Sequence, residues 1–166
     1  AGVDSIEHSS LIDEEGLKLA SKNGTFLSVN AYTPIYMSEQ GEAMGMLPES
    51  IEKARNLAEK RLQNYRIAIE EGARIVYGSD SATYPHGDNA KQFSVYVDLG
   101  MTPMQAIQSA TTVAAESLRM VGDTGAVAPG YFADIIAVEG DPLEDISVLQ
   151  NVTFVMKGGI VYKTSE

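Results

Sequence analysis

The clearest structural signal in the sequence is Ala73-Arg74-Ile75-Val76-Tyr77-Gly78-Ser79-Asp80, a short apolar run that ends in small and polar residues. Such a run is typical of a buried β-strand, and it follows a helical pattern that ends at Gly72. Two earlier runs have the same character: Val3–Glu7, which His8 follows, and residues 25–30. Because these strands alternate with helices, the sequence predicts a parallel α/β architecture.

Helical patterns surround these runs, over residues 13–24, 50–71, 89–99 and 102–120. Ser50 is the predicted N-cap of the second helix, and Thr102 followed by Pro103 is a typical start for the last one. Residues 31–48 are predicted as an irregular connection, and connections of that length are usually functional or mobile.

The pattern changes after Gly122, where glycine and proline separate short β-like runs at residues 134–138, 152–157 and 160–163. Lys157-Gly158-Gly159-Ile160 is typical of a hairpin turn, since glycine adopts positive φ without strain. We therefore predict two parts: β/α units over residues 1–120 and a small antiparallel β region over residues 121–166.

The composition excludes several classes of protein. The 166 residues carry 12 Lys and Arg against 23 Asp and Glu, a net charge of −11, which argues against binding to nucleic acid or to an anionic membrane. No apolar run approaches the length of a membrane span, and the first residues show no signal-peptide pattern, so the compartment stays open. With no cysteine, any metal must be bound by histidine, carboxylate, carbonyl or water.

Two candidate metal ligands follow predicted strands. His8 comes after the first run and Asp80 after the third, and the carboxyl ends of parallel strands converge on one face, where active sites of this architecture lie. Imidazole and carboxylate are suitable ligands for a divalent metal, and a carboxylate can also accept a proton from an attacking water. A hydrogen-bonding or helix-capping role is the alternative for each residue.

Several segments resemble the C-terminal half of metal-dependent amidohydrolases. They are residues 1–8 (AGVDSIEH), 76–80 (VYGSD), 101–111 (MTPMQAIQSAT), 125–138 (GAVAPGYFADIIAV) and 140–142 (GDP). Their order and spacing fit over nearly the whole chain. The segments around His8 and at residues 86–89 resemble most the branch of Xaa-Pro dipeptidases and imidazolonepropionase-related hydrolases.

The resemblance implies the C-terminal part of a (β/α)₈ TIM-type barrel, strands 6–8, plus part of a small β-sandwich. It also implies a divalent metal centre, usually zinc with one or two ions, whose activated hydroxide hydrolyses a C–N bond of a small amide or dipeptide. His8 corresponds to the sixth-strand histidine ligand of the second metal. Asp80 corresponds to the eighth-strand aspartate, which binds the first metal and shuttles the proton to the leaving amine.

The family's other ligands, on barrel strands 1, 4 and 5, would precede Ala1. About 120 residues are also too few for a closed eight-stranded barrel. We therefore expect a piece of a longer enzyme that is inactive alone and that associates with a missing N-terminal half or with copies of itself. The alternative is a non-catalytic relative that acts as a binding or assembly module.

Three further residues are candidates for substrate binding: His86 in the loop after Asp80, and Asn30 and Tyr32 after the second strand. Each is also consistent with an ordinary loop, turn or packing role. A serine esterase built on Ser79 or Ser81 is a weaker reading, because no Gly-x-Ser-x-Gly motif is present. Glu7 is interpreted as structural, since strand alternation directs it away from His8.

Overall fold

A computed structural model describes residues 2–164, which form two three-stranded sheets and six α-helices. The strands are Ser5–Glu7 (β1), Phe26–Val29 (β2), Arg74–Tyr77 (β3), Ile135–Val138 (β4), Val152–Lys157 (β5) and Ile160–Lys163 (β6). The α-helices are Glu14–Asn23 (α1), Tyr32–Gln40 (α2), Pro48–Glu70 (α3), Lys91–Asp98 (α4), Pro103–Ala110 (α5) and Thr112–Ser117 (α6). Short 3₁₀ helices cover Asp88–Ala90 and Ile146–Gln150.

The first sheet is parallel, with the order β1-β2-β3, as the sequence predicts. Alternation along its strands directs Leu27, Val29 and Ile75 toward the helices, where they are buried in one core with Tyr65 and Tyr96. The opposite face carries Ser5 and Glu7, which are exposed, and Ser28, which is partly exposed. One face of the sheet is thus packed on helices, and the other is only partly covered within residues 2–164.

Helix α1 is built as its sequence predicts. The Asp13 side chain accepts a hydrogen bond from the Gly16 N–H at 2.8 Å, and Gly24 closes the helix at φ 67. A side chain is strained at such an angle, so glycine suits this position. The helix therefore delivers the chain to the start of β2 beside β1.

Two predictions about residues 31–50 were wrong. The predicted irregular connection contains α2, which packs against α3. The sequence did not reveal this helix because its apolar periodicity is weak. Helix α3 begins at Pro48 rather than at a Ser50 cap, because proline occupies a first-turn position after the extended residue Leu47. The predicted end of this helix, near Glu71, is confirmed.

The predicted helix over residues 102–120 is two helices. Its start is confirmed, with a capping box between Thr102 and Gln105, but the chain turns at Thr111 (φ −125, ψ −93). A Cβ on Gly125 would lie 2.7 Å from the Thr111 carbonyl oxygen, so only glycine allows residue 125 to lie this close to the turn at Thr111. The predicted helix over residues 89–99 begins with a 3₁₀ turn at Asp88–Ala90, and its α-helical part is α4.

The second sheet is antiparallel, with the order β4-β5-β6. Positive φ angles at Gly158 (55) and Gly159 (81) form the predicted hairpin between β5 and β6. Strand β6 is exposed along its whole length. No helix within residues 2–164 has the length and apolar character required to cross a membrane.

Candidate active site

The carboxyl ends of β1, β2 and β3 surround one cavity of about 210 Å³, which we call the strand-end cavity. It is lined by Glu7, His8, Ser28, Asn30, Gly78 and Asp80. Three predicted site residues, His8, Asn30 and Asp80, therefore lie together, each directly after or close to the end of a different strand.

The main chain is left-handed at both predicted ligands. His8 has φ 65 and Asp80 has φ 50, and Ser9 continues the turn at φ 48. A residue with a Cβ pays roughly 1–2 kcal/mol for this conformation, so the surrounding contacts must hold it in place. Backbone strain of this kind concentrates at functional sites.

The turn at His8 explains why Glu7 also faces the cavity. Alternation would place neighbouring side chains on opposite faces, but the left-handed angle at His8 ends the extended conformation. Both residues line the strand-end cavity, and Glu7 also accepts a hydrogen bond from the Ser5 hydroxyl at 2.8 Å. The interpretation of Glu7 as a structural residue stays a prediction.

Asp80 receives one side-chain hydrogen bond. Nδ2 of Asn30, which is buried, donates to Asp80 Oδ2 at 3.2 Å. No Lys, Arg or His within residues 2–164 forms an ion pair with Asp80. The carboxylate is thus oriented by a neutral donor while it keeps free acceptor capacity on the exposed side of the cavity.

A buried tyrosine on α3 contacts the other side of Asn30. The Tyr65 hydroxyl lies 3.3 Å from Asn30 Oδ1, 2.8 Å from the His8 carbonyl oxygen and 3.1 Å from Ser10 Oγ. Burial raises the pKa of Tyr65, so the hydroxyl keeps its proton at neutral pH. A continuous set of hydrogen bonds therefore joins the ends of β1, β2 and β3.

Helix α4 fixes the last main-chain groups of β2 and β3. Gln92 is fully buried, and its Nε2 donates to the carbonyls of Gly78 at 2.9 Å and Val29 at 3.2 Å. Its Oε1 accepts from the Tyr32 N–H at 3.2 Å, and the Tyr96 hydroxyl donates to the Val29 carbonyl at 2.5 Å. Polar groups buried this deeply need such partners, and here the partners are the segments that carry Asn30 and Asp80.

The other two predicted substrate residues lie outside the lining of the strand-end cavity. Tyr32 packs edge-on against Tyr84 at 5.0 Å between ring centroids, and the Tyr84 hydroxyl donates to the Ser79 carbonyl at 2.7 Å. Tyr32 is therefore next to the segment that bears Asp80. His86 is exposed in the loop that follows Tyr84.

The donors present fit part of a metal site. His8 and Asp80 offer imidazole and carboxylate from one cavity, which suits zinc or a similar divalent ion. Residues 2–164 contain no group of three or more His, Asp or Glu side chains that could hold a metal ion. Since catalytic zinc uses at least three protein ligands, further ligands have to come from outside this set.

Sequence reasoning missed Tyr65 and Gln92. Helical periodicity over residues 50–71 places Tyr65 on the buried face of α3, which accounts for its ring but not for the partners of its hydroxyl. The available signal was a polar group at a position that helical periodicity buries: Gln92 precedes Tyr96 by four residues and shares its helix face.

Comparison with known proteins identifies the relatives of this chain. The sequence pattern that defines the Amidohydrolase family matches residues 1–161. Ochratoxinase of Aspergillus niger is 39% identical over 98% of this chain and 34% of its own length. A Xaa-Pro dipeptidase solved with methionine in its active site is 39% identical with a TM-score of 0.90, and here 98% of this chain covers 40% of that one.

A prolidase solved with N-methylphosphonate-L-proline is 32% identical with a TM-score of 0.87, over 99% of this chain and 41% of that one. The chain thus spans about a third of the curated relative and about 40% of the solved structures.

Proposed function

Because the chain belongs to the amidohydrolase family, we propose that it forms part of a metal-dependent hydrolase of C–N bonds in small amides or dipeptides. The observation that carries this proposal is the strand-end cavity, where His8, Asn30 and Asp80 meet at the ends of three adjacent parallel strands. The names of two relatives, a Xaa-Pro dipeptidase and a prolidase, support the class of substrate.

In this proposal Asp80 moves a proton. A carboxylate with free acceptor capacity can take a proton from the attacking water and return it to the leaving amine. The Asn30 amide N–H fixes the orientation of the carboxylate, because it donates to Oδ2. The lack of a cationic partner within residues 2–164 leaves the carboxylate available for this exchange.

His8 and Asp80 would together hold one or two divalent ions, for which zinc is the first candidate. When bound, the metal lowers the pKa of a water molecule and polarises the scissile carbonyl. His8 would contribute an imidazole nitrogen, and its main chain is held by the contact of its carbonyl with the Tyr65 hydroxyl. His86 and Tyr32 are proposed to contact the substrate from the loop and helix beside Asp80.

We further propose that β1, β2 and β3 correspond to barrel strands 6–8 and that residues 121–166 belong to a β-sandwich. Support comes from the parallel order of the three strands and from the 40% coverage of the Xaa-Pro dipeptidase. The remaining ligands would then come from protein segments outside residues 1–166.

Exposed apolar side chains also favour a covering segment. Val127 is 83% exposed, and Leu118, Phe132, Ile136, Ile160 and Tyr162 are exposed as well. Single exposed apolar residues are ordinary, but several around one small sheet indicate a protein contact. We propose that the segments which complete the site also cover this surface, and that residues 1–166 alone are inactive.

Chelation of the complete protein tests the proposed function. We expect hydrolysis of Xaa-Pro dipeptides or other small amides to disappear when the metal is removed and to return with Zn²⁺. The matched sample is the same protein carried through the procedure without chelator. Activity that persists after metal analysis has shown complete removal contradicts the metal-dependent mechanism.

A further inference from the structure

A single buried hydroxyl contacts two of the three segments that carry the site. Tyr65 is 1% exposed, and its hydroxyl lies 2.8 Å from the His8 carbonyl oxygen and 3.3 Å from Asn30 Oδ1. We infer that Tyr65 is a positioning residue, which orients the Asn30 amide and the His8 main chain and so places the Asp80 and His8 side chains. This inference rests on the function proposed above.

The first step concerns the direction of the Asn30 amide. The amide has one acceptor and one donor end, and they face different partners. Oδ1 lies beside the Tyr65 hydroxyl, whereas Nδ2 lies beside the Asp80 carboxylate. A rotated amide would oppose its own oxygen to the carboxylate. The Tyr65 hydroxyl shares its single proton between the His8 carbonyl oxygen at 2.8 Å and Asn30 Oδ1 at 3.3 Å, so it adds a weaker preference for the same orientation.

The second step concerns the left-handed main chain at His8. The direction of the imidazole depends on the backbone angles at this residue, and φ is 65. The Tyr65 hydroxyl holds the His8 carbonyl at 2.8 Å, while Ser9 Oγ donates to the Ile6 carbonyl at 2.9 Å. Without the hydroxyl, this side of the turn loses its strongest donor, because Ser10 Oγ lies 3.4 Å from the same carbonyl.

Packing alone does not account for the hydroxyl. The Tyr65 ring belongs to the core between α3 and the sheet, and a phenylalanine would fill the same space. The polar contacts of the hydroxyl, with His8, Ser10 and Asn30, all belong to the segments that follow β1 and β2. Its polar atom therefore serves the strand-end cavity rather than α3.

The test compares Tyr65→Phe with Tyr96→Phe in the complete protein. Tyr96 is the matched control because it is equally buried and its hydroxyl also contacts a main-chain carbonyl, that of Val29. Gln92 still donates to that carbonyl in the control. We measure kcat and KM with the best dipeptide substrate, Zn²⁺ affinity of the metal-free protein by calorimetry, and the melting temperature.

Tyr65→Phe is expected to lower kcat at least tenfold with little change in KM, and to weaken Zn²⁺ binding about tenfold. Both variants are expected to lower the melting temperature by similar amounts. Tyr96→Phe is nevertheless expected to leave kcat and Zn²⁺ affinity within twofold of the wild-type values. Equal effects of the two variants on kcat and Zn²⁺ affinity overturn the inference about Tyr65 and leave the proposed function standing.

A double-mutant cycle tests the route through Asn30. If Tyr65 acts on Asp80 through Asn30, Tyr65→Phe should lower kcat less than threefold in an Asn30→Ala background. If the double variant instead shows the product of the two single-variant losses in kcat, the route through Asn30 is overturned.

If Tyr65→Phe does not fold, Ser10→Ala is the second variant, because it removes only the neighbouring hydroxyl. We expect this variant to bind Zn²⁺ two- to fivefold more weakly, and an unchanged Zn²⁺ affinity overturns the inference. A wild-type protein that neither binds Zn²⁺ nor hydrolyses any amide overturns the proposed function and this inference together.

Discussion

Two aspartates at the ends of the two sheets have opposite surroundings. Asp134, just before β4, accepts hydrogen bonds from the Lys157 ammonium and, at 2.7 Å, from the Gly158 N–H, so each of its two oxygens is bonded to the β5–β6 hairpin. Asp80, after β3, accepts a side-chain hydrogen bond only from the Asn30 amide among residues 2–164, and its backbone is left-handed. A carboxylate bonded on both oxygens to a charged and a main-chain donor stabilises a turn, whereas one oriented by a single neutral donor stays available for chemistry.

The same contrast holds for the sheets. The carboxyl edge of β1–β3 is supported by buried polar groups on α3 and α4, whereas β6 is exposed throughout. Buried polar groups are costly unless paired, and those of Asn30, Tyr65, Gln92 and Tyr96 are paired with groups at these strand ends.

The largest expected effect separates the two aspartates directly. In the complete protein, Asp80→Asn should lower kcat/KM by about 10³-fold, since a neutral amide cannot accept the proton. Asp134→Asn should leave kcat/KM within twofold. Steady-state kinetics on both variants decide the point, and comparable losses would remove the distinction between the two carboxylates.

Removal of the buried amide of Gln92 should cost stability. Gln92→Leu leaves the Gly78 carbonyl and the Tyr32 N–H without their partner, and we expect a loss of about 3 kcal/mol in the free energy of unfolding. Urea denaturation measures it. The control is Gln108→Leu on exposed α5 surface, which should change stability by less than about 0.5 kcal/mol. Equal shifts in both variants would mean that the Gln92 contacts carry no special weight.

The close approach of β2 and β3 at the cavity predicts a smaller effect with a built-in rescue. A Cβ on Gly78 would lie 2.5 Å from Ser28 Oγ, so Gly78→Ala should destabilise the protein by about 2 kcal/mol. Combination with Ser28→Ala removes the clashing oxygen and should recover most of the loss, because the Ser28 Cβ is 3.8 Å away. Additive losses in the double variant, measured by thermal unfolding, would refute the steric explanation.

The smallest effect is the pH dependence of the hairpin. The Lys157 ammonium and then the Gly158 N–H lower the pKa of Asp134, so this carboxylate is more acidic when folded than when unfolded. Its stabilisation is complete above the unfolded pKa of about 3.9 and is lost as the pH falls through the lower folded value. A small difference in melting temperature between wild type and Asp134→Asn should therefore shrink below about pH 4. A difference that grows on acidification would contradict the assigned direction.

Much of the fold follows from local patterns. The strand runs at residues 152–157 and 160–163 were placed correctly, because apolar runs and glycine turns are local signals. Helix α2 was missed, since Tyr32–Gln40 has little periodicity and forms against α3. The turn at Thr111 lies against Gly125, a contact between distant residues that no local pattern reveals.

Only part of the site was predictable from the sequence. The positions of His8, Asn30 and Asp80 after predicted strands made them candidates, and in the structure all three line one cavity. The roles of Tyr65 and Gln92 depend on which carbonyls their side chains meet across the sheet, and spacing along the chain does not encode those partners.

The two histidines of the chain allow the most direct test of the central claim, that the β1–β3 edge contributes to a metal site. The measurement is the metal content of the complete protein, as wild type, His8→Ala and His86→Ala, by elemental analysis beside native mass spectrometry. We predict stoichiometric divalent metal in wild type and His86→Ala, and loss of at least about half of it in His8→Ala. Equal metal content in all three proteins, or no metal in the wild type, would contradict the account.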